Sequence, residues 1–377
     1  MPVVACAVVG ALLLLGTPNT ATAGVGDCGI SDESTNPILG TTGDDHIRGT
    51  SGDDVILGLG GNDEIRGLAG KDQICTEEGD DTIYPGRGSD YTYAGDGDNE
   101  IVERDYSSNI YAGSGDDVVR GRSYFADVGS GNNRTYGADG VVSGNGHDII
   151  IGAAFVQSGA GRDRIDSSDV RNTVEIHAGK GDDFIHGTNA ITQEVEEAVE
   201  ELHGGRGDDR IYGGASGERM WPGPGNDVVN GGTHNGWNAQ VIFGRSSRGV
   251  SANLSTHRAQ GEGIDRLWHI DLIFGTGYGD VLVGSGHGDI LFGCGGPDLL
   301  KGRSGPDFIQ GDSVERGSQC PGRWSSHDRA WGGTGRDTCS AESVRNCEHR
   351  DYDPSREDEP SAALTWSRSI FMFRTRG

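Results

Sequence analysis

Between Gly40 and Arg120 the hydrophobic pattern has a period of nine. Ile47, Ile56, Ile65, Ile74, Ile83, Thr92, Ile101, Ile110 and Val119 each stand at the eighth place of a nonapeptide counted from Gly40, with Thr92 the one polar member. Nine fits neither the 3.6 period of a helix nor the bare alternation of a long strand; it requires a turn and a short strand in every unit. Glycine writes the turn. The fourth place holds Gly43, Gly52, Gly61, Gly70, Gly79, Gly88, Gly97, Tyr106 and Gly115, and the sixth holds Asp45, Asp54, Asp63, Asp72, Asp81, Asp90, Asn99, Ser108 and Asp117. A stretch such as Gly58-Leu59-Gly60-Gly61-Asn62-Asp63 can take positive φ and expose carbonyls, and Glu64-Ile65-Arg66 then supplies a strand with one inward side chain. One unit crosses one face, so two units close a coil and residues i and i+18 stack. The pattern predicts an all-β chain of stacked coils, a solenoid, with the eighth-place column as its core. Asp45, Asp63 and Asp81 would line one edge and Asp54, Asp72 and Asp90 the other.

After Gly121 the phase slips. Copies recur at Gly146 with Asp148 and Ile150, Gly161 with Asp163 and Ile165, Gly181 with Asp183 and Ile185, Gly207 with Asp209 and Ile211, and Gly225 with Asp227 and Val229. A second regular run places Asp280, Asp289, Asp298 and Asp307 two residues before Leu282, Leu291, Leu300 and Ile309; Tyr278 and His287 stand where the first two units should have glycine, which makes them poorer ligand turns. A last copy carries Asp337 and puts Cys339 at the apolar place, as at the end of a stack. Val195, Val199 and Leu202 among Glu194, Glu196, Glu197, Glu200 and Glu201 predict a short acidic helix over 193–202, inserted between coils. Residues 249–274 read as extended strands. The expected organisation is a signal peptide over 1–23, an N-terminal cap over 24–39, a regular block over 40–121, degenerate repeats over 122–232, a β spacer over 233–274, a second block over 275–311, a disulfide-bonded cap over 312–349 and a disordered tail over 350–377.

The apolar stretch from Val3 to Leu15, followed by Ala21-Thr22-Ala23, has the form of an export signal cleaved after Ala23, although no Lys or Arg precedes it. It is too short to span a bilayer, and no later stretch reaches the ~20 apolar residues needed. The expectation is a secreted, extracellular protein without a membrane span. Export would remove Cys6 and leave six cysteines, an even number that reads as disulfides. Cys339 with Cys347 is the easiest pair; Cys28 with Cys75 and Cys294 with Cys320 follow from proximity along the chain. Zinc fits poorly, since no C-x-x-C spacing occurs.

Charge then directs the chemistry. The chain has 67 Gly in 377 residues and a net charge of −27, which argues against nucleic acid as a partner and for bound cations. Carboxylates stacked one strand spacing apart, roughly 4.8 Å, repel unless a cation lies between them. Calcium takes six to eight oxygens at ~2.3 to 2.6 Å and suits a carboxylate beside turn carbonyls; magnesium, with its strict octahedron and retained water, suits it less well. These residues resemble the RTX, or haemolysin-type calcium-binding, repeat G-G-x-G-x-D-x-U-x, the nonapeptide that is itself the standard example of this period. The resemblance implies a parallel β-roll or β-helix solenoid with calcium between successive turns and the sixth-place Asp residues named above, from Asp45 to Asp337, as ligands. At Asn99, Ser108 and Tyr106 it implies weak or missing sites.

Sharper chemistries fare worse. Arg206-Gly207-Asp208 spells an adhesion tripeptide, but its glycine is required by the turn. Neither Lys71 nor Lys180 is followed by the Ser or Thr of a P-loop, G-x-S-x-G and H-E-x-x-H are absent, and the 11 His are scattered. Asp96-Gly97-Asp98-Asn99-Glu100 begins like an EF-hand loop but has Ile101 where glycine is needed. Acid pairs such as Asp44 with Asp45 and Asp182 with Asp183 recur as a lattice does, whereas an active site is single. The sequence therefore reads as a monomeric, non-enzymatic calcium-binding protein. Two alternatives stay open: an adhesive scaffold stiffened by calcium, binding an unidentified extracellular or cell-surface partner through Trp221, Trp237, Trp324 and Trp331, and a carbohydrate-active β-helix enzyme using Asp163 or Asp183.

Overall fold

The computed structural model describes residues 36–190, 200–215, 217–232, 239–312, 328–341, 343–347 and 349–350. The expected signal peptide, most of the N-terminal cap and the tail from 351 onward lie outside them. Two compact units divide after Ile149, and each is a parallel β-solenoid.

In the first unit, strands centred on the eighth-place residues alternate between two parallel sheets. In one, Ile47 lies beside Ile65, Ile65 beside Ile83, Ile83 beside Ile101 and Ile101 beside Val119. In the other, Ile56 lies beside Ile74, Ile74 beside Thr92 and Thr92 beside Ile110. The stacking interval is the expected 18 residues. Ile56, Ile65, Ile74, Ile83, Ile101 and Ile110 are wholly buried, so each coil adds about one fully buried aliphatic side chain per sheet, worth roughly 1.5–3 kcal/mol. On the outer face the rings of Tyr93 and Tyr111 stack at 4.8 Å, continuing the ladder in a second row.

The phase slip after Gly121 has a local cause. In the regular coils six residues separate successive strands, as Gly58 to Asp63 do between Leu57 and Glu64. On one edge this shrinks to the four residues 121–124 before Phe125 and to the three residues 137–139 before Gly140. The stacking interval accordingly falls to 16 at Val119 and Thr135 and to 15 at Ala126 and Val141. Only the other edge keeps the full glycine-rich turn.

The second unit keeps core on core while its turns vary in length. Ile176 lies beside Leu202, Leu202 beside Met220, Ile185 beside Ile211 and Val229 beside Leu267. The long interval before Leu267 contains an antiparallel excursion, Ser251–Asn253 with Arg258–Gln260 and Arg258–Gln260 with Ile264–Trp268. From Ile273 to Leu291 to Ile309 the 18-residue interval returns. Cys339 then takes the core place beside Ile309 and forms a disulfide with Cys347, eight residues on. Cys75 and Cys294 are also disulfide-bonded; their expected partners, Cys28 and Cys320, lie outside the described residues. The helix expected over 193–202 is not seen in its last turn. Glu200, Glu201 and Leu202 belong to the strand Glu200–Arg206, because Leu202 fills the column between Ile176 and Met220 and a helix would withdraw it. Residues 191–199 lie outside the described residues.

In coils such as that of Asp81, fourth-place glycine meets two demands at once. Gly79 has φ 137°, and a Cβ there would lie 2.0 Å from the carbonyl oxygen of Gly61 in the preceding coil. No side chain satisfies either condition.

Thr92, like Thr135 further along, is a polar member of the core column. Its hydroxyl is buried without a hydrogen-bond partner, between Ile74 and Ile110. Replacing that hydroxyl by a methyl removes a desolvation cost and keeps the shape. Thr92→Val should therefore raise stability by about 1 kcal/mol, read as a higher urea midpoint in calcium-containing buffer. A lower midpoint contradicts this account.

Candidate metal centre

The sixth-place aspartates form a ladder in which one oxygen is satisfied by the fold. The main-chain N–H of Asp45 donates to Asp63 Oδ1 at 2.9 Å, that of Asp63 to Asp81 Oδ1 at 2.8 Å, and that of Asp81 to Asn99 Oδ1 at 3.1 Å. Asn99 donates to Asp117, Asp117 to Asn133 and Asn133 to Asp148 in the same way. On the other edge Asp54 donates to Asp72 and Asp72 to Asp90. In the second unit Asp163 donates to Asp183, Asp183 to Asp209 and Asp209 to Asp227; Asp280 donates to Asp298, Asp289 to Asp307 and Asp307 to Asp337. The sequence-derived candidates are thus brought together coil by coil.

The second oxygen has no such partner. Oδ2 of Asp63, Asp72, Asp81, Asp90, Asp117, Asp183, Asp209, Asp227, Asp298, Asp307 and Asp337 is buried without a hydrogen bond. Asp63 and Asp72 are 2% and 1% exposed, so solvent does not compensate them, and an uncompensated buried carboxylate is strongly unfavourable. Asp148 and Asp163 are equally buried members of the ladder.

Asn99 reveals what surrounds that second oxygen. Its Oδ1 takes the ladder N–H, which fixes Nδ2 in the position of the aspartate Oδ2. Nδ2 lies 3.0 Å from the carbonyl oxygen of Gly97, 3.3 Å from that of Ala112, 3.5 Å from that of Gly95 and 3.0 Å from Asp117 Oδ1. The space is lined entirely by acceptors: two carbonyls of its own turn, one from the next coil, and the next carboxylate. Asn133 Nδ2 repeats the arrangement with the carbonyls of Gly129 and Gly131. An amide donates into such a place; a carboxylate oxygen can only repel its neighbours there. The same convergence appears at Gly67, where the ideal Cβ position is 2.3 Å from the carbonyl oxygen of Pro85 and 2.5 Å from Asp72 Oδ2.

This donor set suits a hard cation. Two carboxylates and several main-chain carbonyls per coil supply the oxygens that calcium requires at ~2.3–2.6 Å. Among the described residues no three His, Cys, Asp or Glu side chains gather into a cluster, so a metal must draw on main-chain oxygen, which disfavours zinc.

Four candidates differ from the rest. Asp45, Asp54, Asp280 and Asp289 accept the main-chain N–H of Thr41, Thr50, Thr276 and Ser285 on Oδ2, at 2.5, 2.6, 2.6 and 2.6 Å. Their second oxygen is closed within the turn.

Other members went unseen in the sequence. Asp265 and Asp328 accept the N–H of Asp227 and Asp298; an irregular insertion precedes each, and Ala330 makes only a faint core signal after Asp328. Glu218 stands at a sixth place, buried, its Oε1 accepting the N–H of Gly214. A second, exposed ladder runs the opposite way at the fifth place. Asp44 accepts the N–H of Asn62, Asn62 that of Asp80, Asp80 that of Asp98 and Asp98 that of Asp116. The acid pairs of the sequence are therefore two ladders side by side. Asp208 of the adhesion-like tripeptide belongs to the outer one, accepting from Asn226. Of the candidate contact tryptophans, Trp221 is buried and stacks on His203 at 4.1 Å; Trp237 and Trp324 lie outside the described residues.

Burial, reinforced by neighbouring acids and opposed by the ladder hydrogen bond, at Asp81 more strongly by the Thr76 side chain and at Asp117 also by that of Asn99, raises these carboxyls: Asp72, Asp81 and Asp183 to about 6, Asp117 and Asp307 to about 7, Asp209 and Asp227 to about 8, and Asp298 to about 9. The folded state without metal holds protons that the unfolded chain, with Asp near 3.9, has released. That stability is fully present below about pH 4 and is lost as pH rises through 6 to 9. Calcium-free protein should therefore melt at progressively lower temperature from pH 5.5 to 8.5, with the slope flattened by millimolar calcium. Thermal melts across that range check it, and a melting point rising with pH in calcium-free buffer would contradict it.

The RTX calcium-binding nonapeptide repeat (4 copies) family matches the chain over residues 39–74, 76–101, 105–123, 175–189, 198–229 and 267–300. No individual curated protein matches it.

Proposed function

Because the chain belongs to the RTX calcium-binding nonapeptide repeat family, we propose that it is an exported, non-enzymatic protein in which calcium enters the oxygen-lined space between coils and drives the roll to fold. A calcium-binding β-roll follows from the family and the fold. Export, the folding role and the lack of catalysis are the proposal.

The observation that carries it is the set of buried, unpartnered Oδ2 atoms, read with Asn99, whose amide occupies the same space among four oxygens. Those oxygens cannot be packed together as anions without compensation, and the large glycine content raises the entropy lost on folding. A cation bound to the native state alone contributes RT ln(1 + [L]/Kd), about 2.7 kcal/mol per site at a hundredfold excess over Kd. Several sites exceed the whole stability of an ordinary domain, about 5–15 kcal/mol. Extracellular calcium modules work at ~10⁻⁴–10⁻³ M, so a chain unfolded at low internal calcium would condense after leaving the cell. The expected monomer, the export signal and the absence, among the described residues, of a helix able to cross a membrane are consistent with that course.

Repetition supports a structural role. Asp163 and Asp183, the candidate catalytic carboxyls, are joined to each other by the same ladder hydrogen bond as the other sixth-place residues, which favours a structural reading of both.

Circular dichroism and calorimetry on the mature chain test the proposal. In EGTA the strand signal should be largely lost at pH 8; millimolar calcium should restore it with several ions bound per chain. The same strand signal in both buffers would refute the folding role, and no calorimetric binding would refute the calcium reading itself.

A further inference from the structure

Two kinds of turn among the aspartate sites differ at the second place of the nonapeptide. In the turn of Asp72, Leu68 at the second place has φ 89° and Gly70 at the fourth has φ 128°. Both residues are left-handed, and the Oδ2 they surround has no donor. In the turn of Asp54, Thr50 stands at the second place, outside the left-handed region. Its N–H donates to Asp54 Oδ2 at 2.6 Å, its hydroxyl to the same carboxylate at 3.1 Å, and the fourth-place Gly52 N–H donates back to the hydroxyl at 3.1 Å. The turn of Asp45 repeats this with Thr41 and Gly43. In the second unit Thr276 and Tyr278 close Asp280, and Ser285 and His287 close Asp289. Tyr278 and His287 are tolerated because this kind of turn does not need a left-handed fourth residue.

Hydroxyl and amide donors fill the place that acceptors line elsewhere. We infer that the turns of Asp45, Asp54, Asp280 and Asp289 take no calcium, and that each pair forms one ion-independent coil from which ion-dependent coils stack. Their position fits. Each pair covers both edges of one coil, the first where the regular block begins and the second where the 18-residue interval resumes after the antiparallel excursion. The ladder is continuous with them, since Asp45 and Asp54 donate to Asp63 and Asp72. A closed coil thus presents a finished edge of oriented N–H groups to the first carboxylates that need an ion. This inference rests on the calcium reading above and specifies which turns of the roll it covers.

The test is a count of calcium ions bound per full-length chain, by calorimetry and by elemental analysis after dialysis, in wild type and in Asp54→Asn, Thr50→Val, Asp72→Asn and Asn99→Asp. Asp72→Asn should lower the count by at least one ion, and Asn99→Asp should raise it by one. Asp54→Asn and Thr50→Val should leave it unchanged while lowering the thermal midpoint in calcium, as loss of an internal hydrogen bond does. If Asp54→Asn or Thr50→Val loses an ion as Asp72→Asn does, the inference is wrong and the calcium reading stands. A wild-type chain that binds no ion at all overturns the calcium reading together with this inference. Thr50→Val keeps the carboxylate, so it remains informative if Asp54→Asn does not fold.

Discussion

Main-chain pairing sets successive coils one strand spacing apart, about 4.8 Å, and that distance decides how the turns must be built. A turn that rises so little per coil places each carbonyl and carboxylate over its counterpart in the next. Along the core side this is favourable, because isoleucine stacks on isoleucine. Along the turn side it gathers oxygens with nothing positive among them. The described structure meets the problem in several ways. In the turns described, one carboxylate oxygen accepts a main-chain N–H, and the other is left facing acceptors, an asparagine amide replaces it, or a threonine or serine closes it. A proton or a cation is the remaining way to balance the open places, and the need for one follows from the spacing of the sheet as much as from the identity of the aspartate.

The same spacing explains the composition. Fourth-place glycines such as Gly79 are dictated by backbone approaching backbone. At the first-place Gly67 a Cβ would meet the carbonyl oxygen of Pro85 in the next coil at 2.3 Å and Oδ2 of its own Asp72 at 2.5 Å. Two glycines per turn leave few positions for apolar residues, so the core is a thin column with one side chain per strand. Such a column suffices to keep register, because a one-residue slip would expose every member. The ladders add hydrogen bonds from coil to coil along the turn edges, where that column does not reach. Register and cohesion are thus divided between the two sides of each coil.

Much of this was legible in the sequence because the constraint is periodic. A column repeating every nine residues with glycine and aspartate at fixed offsets defines the coil, the 18-residue interval and the buried carboxylates without reference to any long-range contact. What escaped is what breaks the period or depends on backbone direction. Asp265 and Asp328 follow insertions that reset the count, and the helix expected over 193–202 from Val195, Val199 and Leu202 among glutamates gives way at its last described residues to the strand Glu200–Arg206, where the place of Leu202 in the column outweighs local preference. The difference between Thr50 and Leu68 turns was also invisible, since both are ordinary residues at a position the repeat leaves variable. Only the orientation of the peptide beside them shows that one offers a donor and the other does not.

Asparagine, threonine and a divalent ion answer the same electrostatic question on different terms. The amide of Asn99 and the hydroxyl of Thr50 are part of the chain and cannot leave, so coils that use them keep the same internal balance in any medium. A coil that leaves Asp72 Oδ2 open depends on what the solution supplies, either protons at low pH or cation at neutral pH. On the proposed reading, mixing the two kinds along the stack makes stability uneven, with permanent coils beside conditional ones. Because each ladder bond runs from one coil into the next, a conditional coil is not independent of its permanent neighbour: the N–H that orients Asp72 comes from Asp54, which Thr50 already holds in place. The closed coil thus fixes one oxygen of the open site before any ion arrives, and preorganisation of this kind lowers the entropy that the ion must overcome on binding.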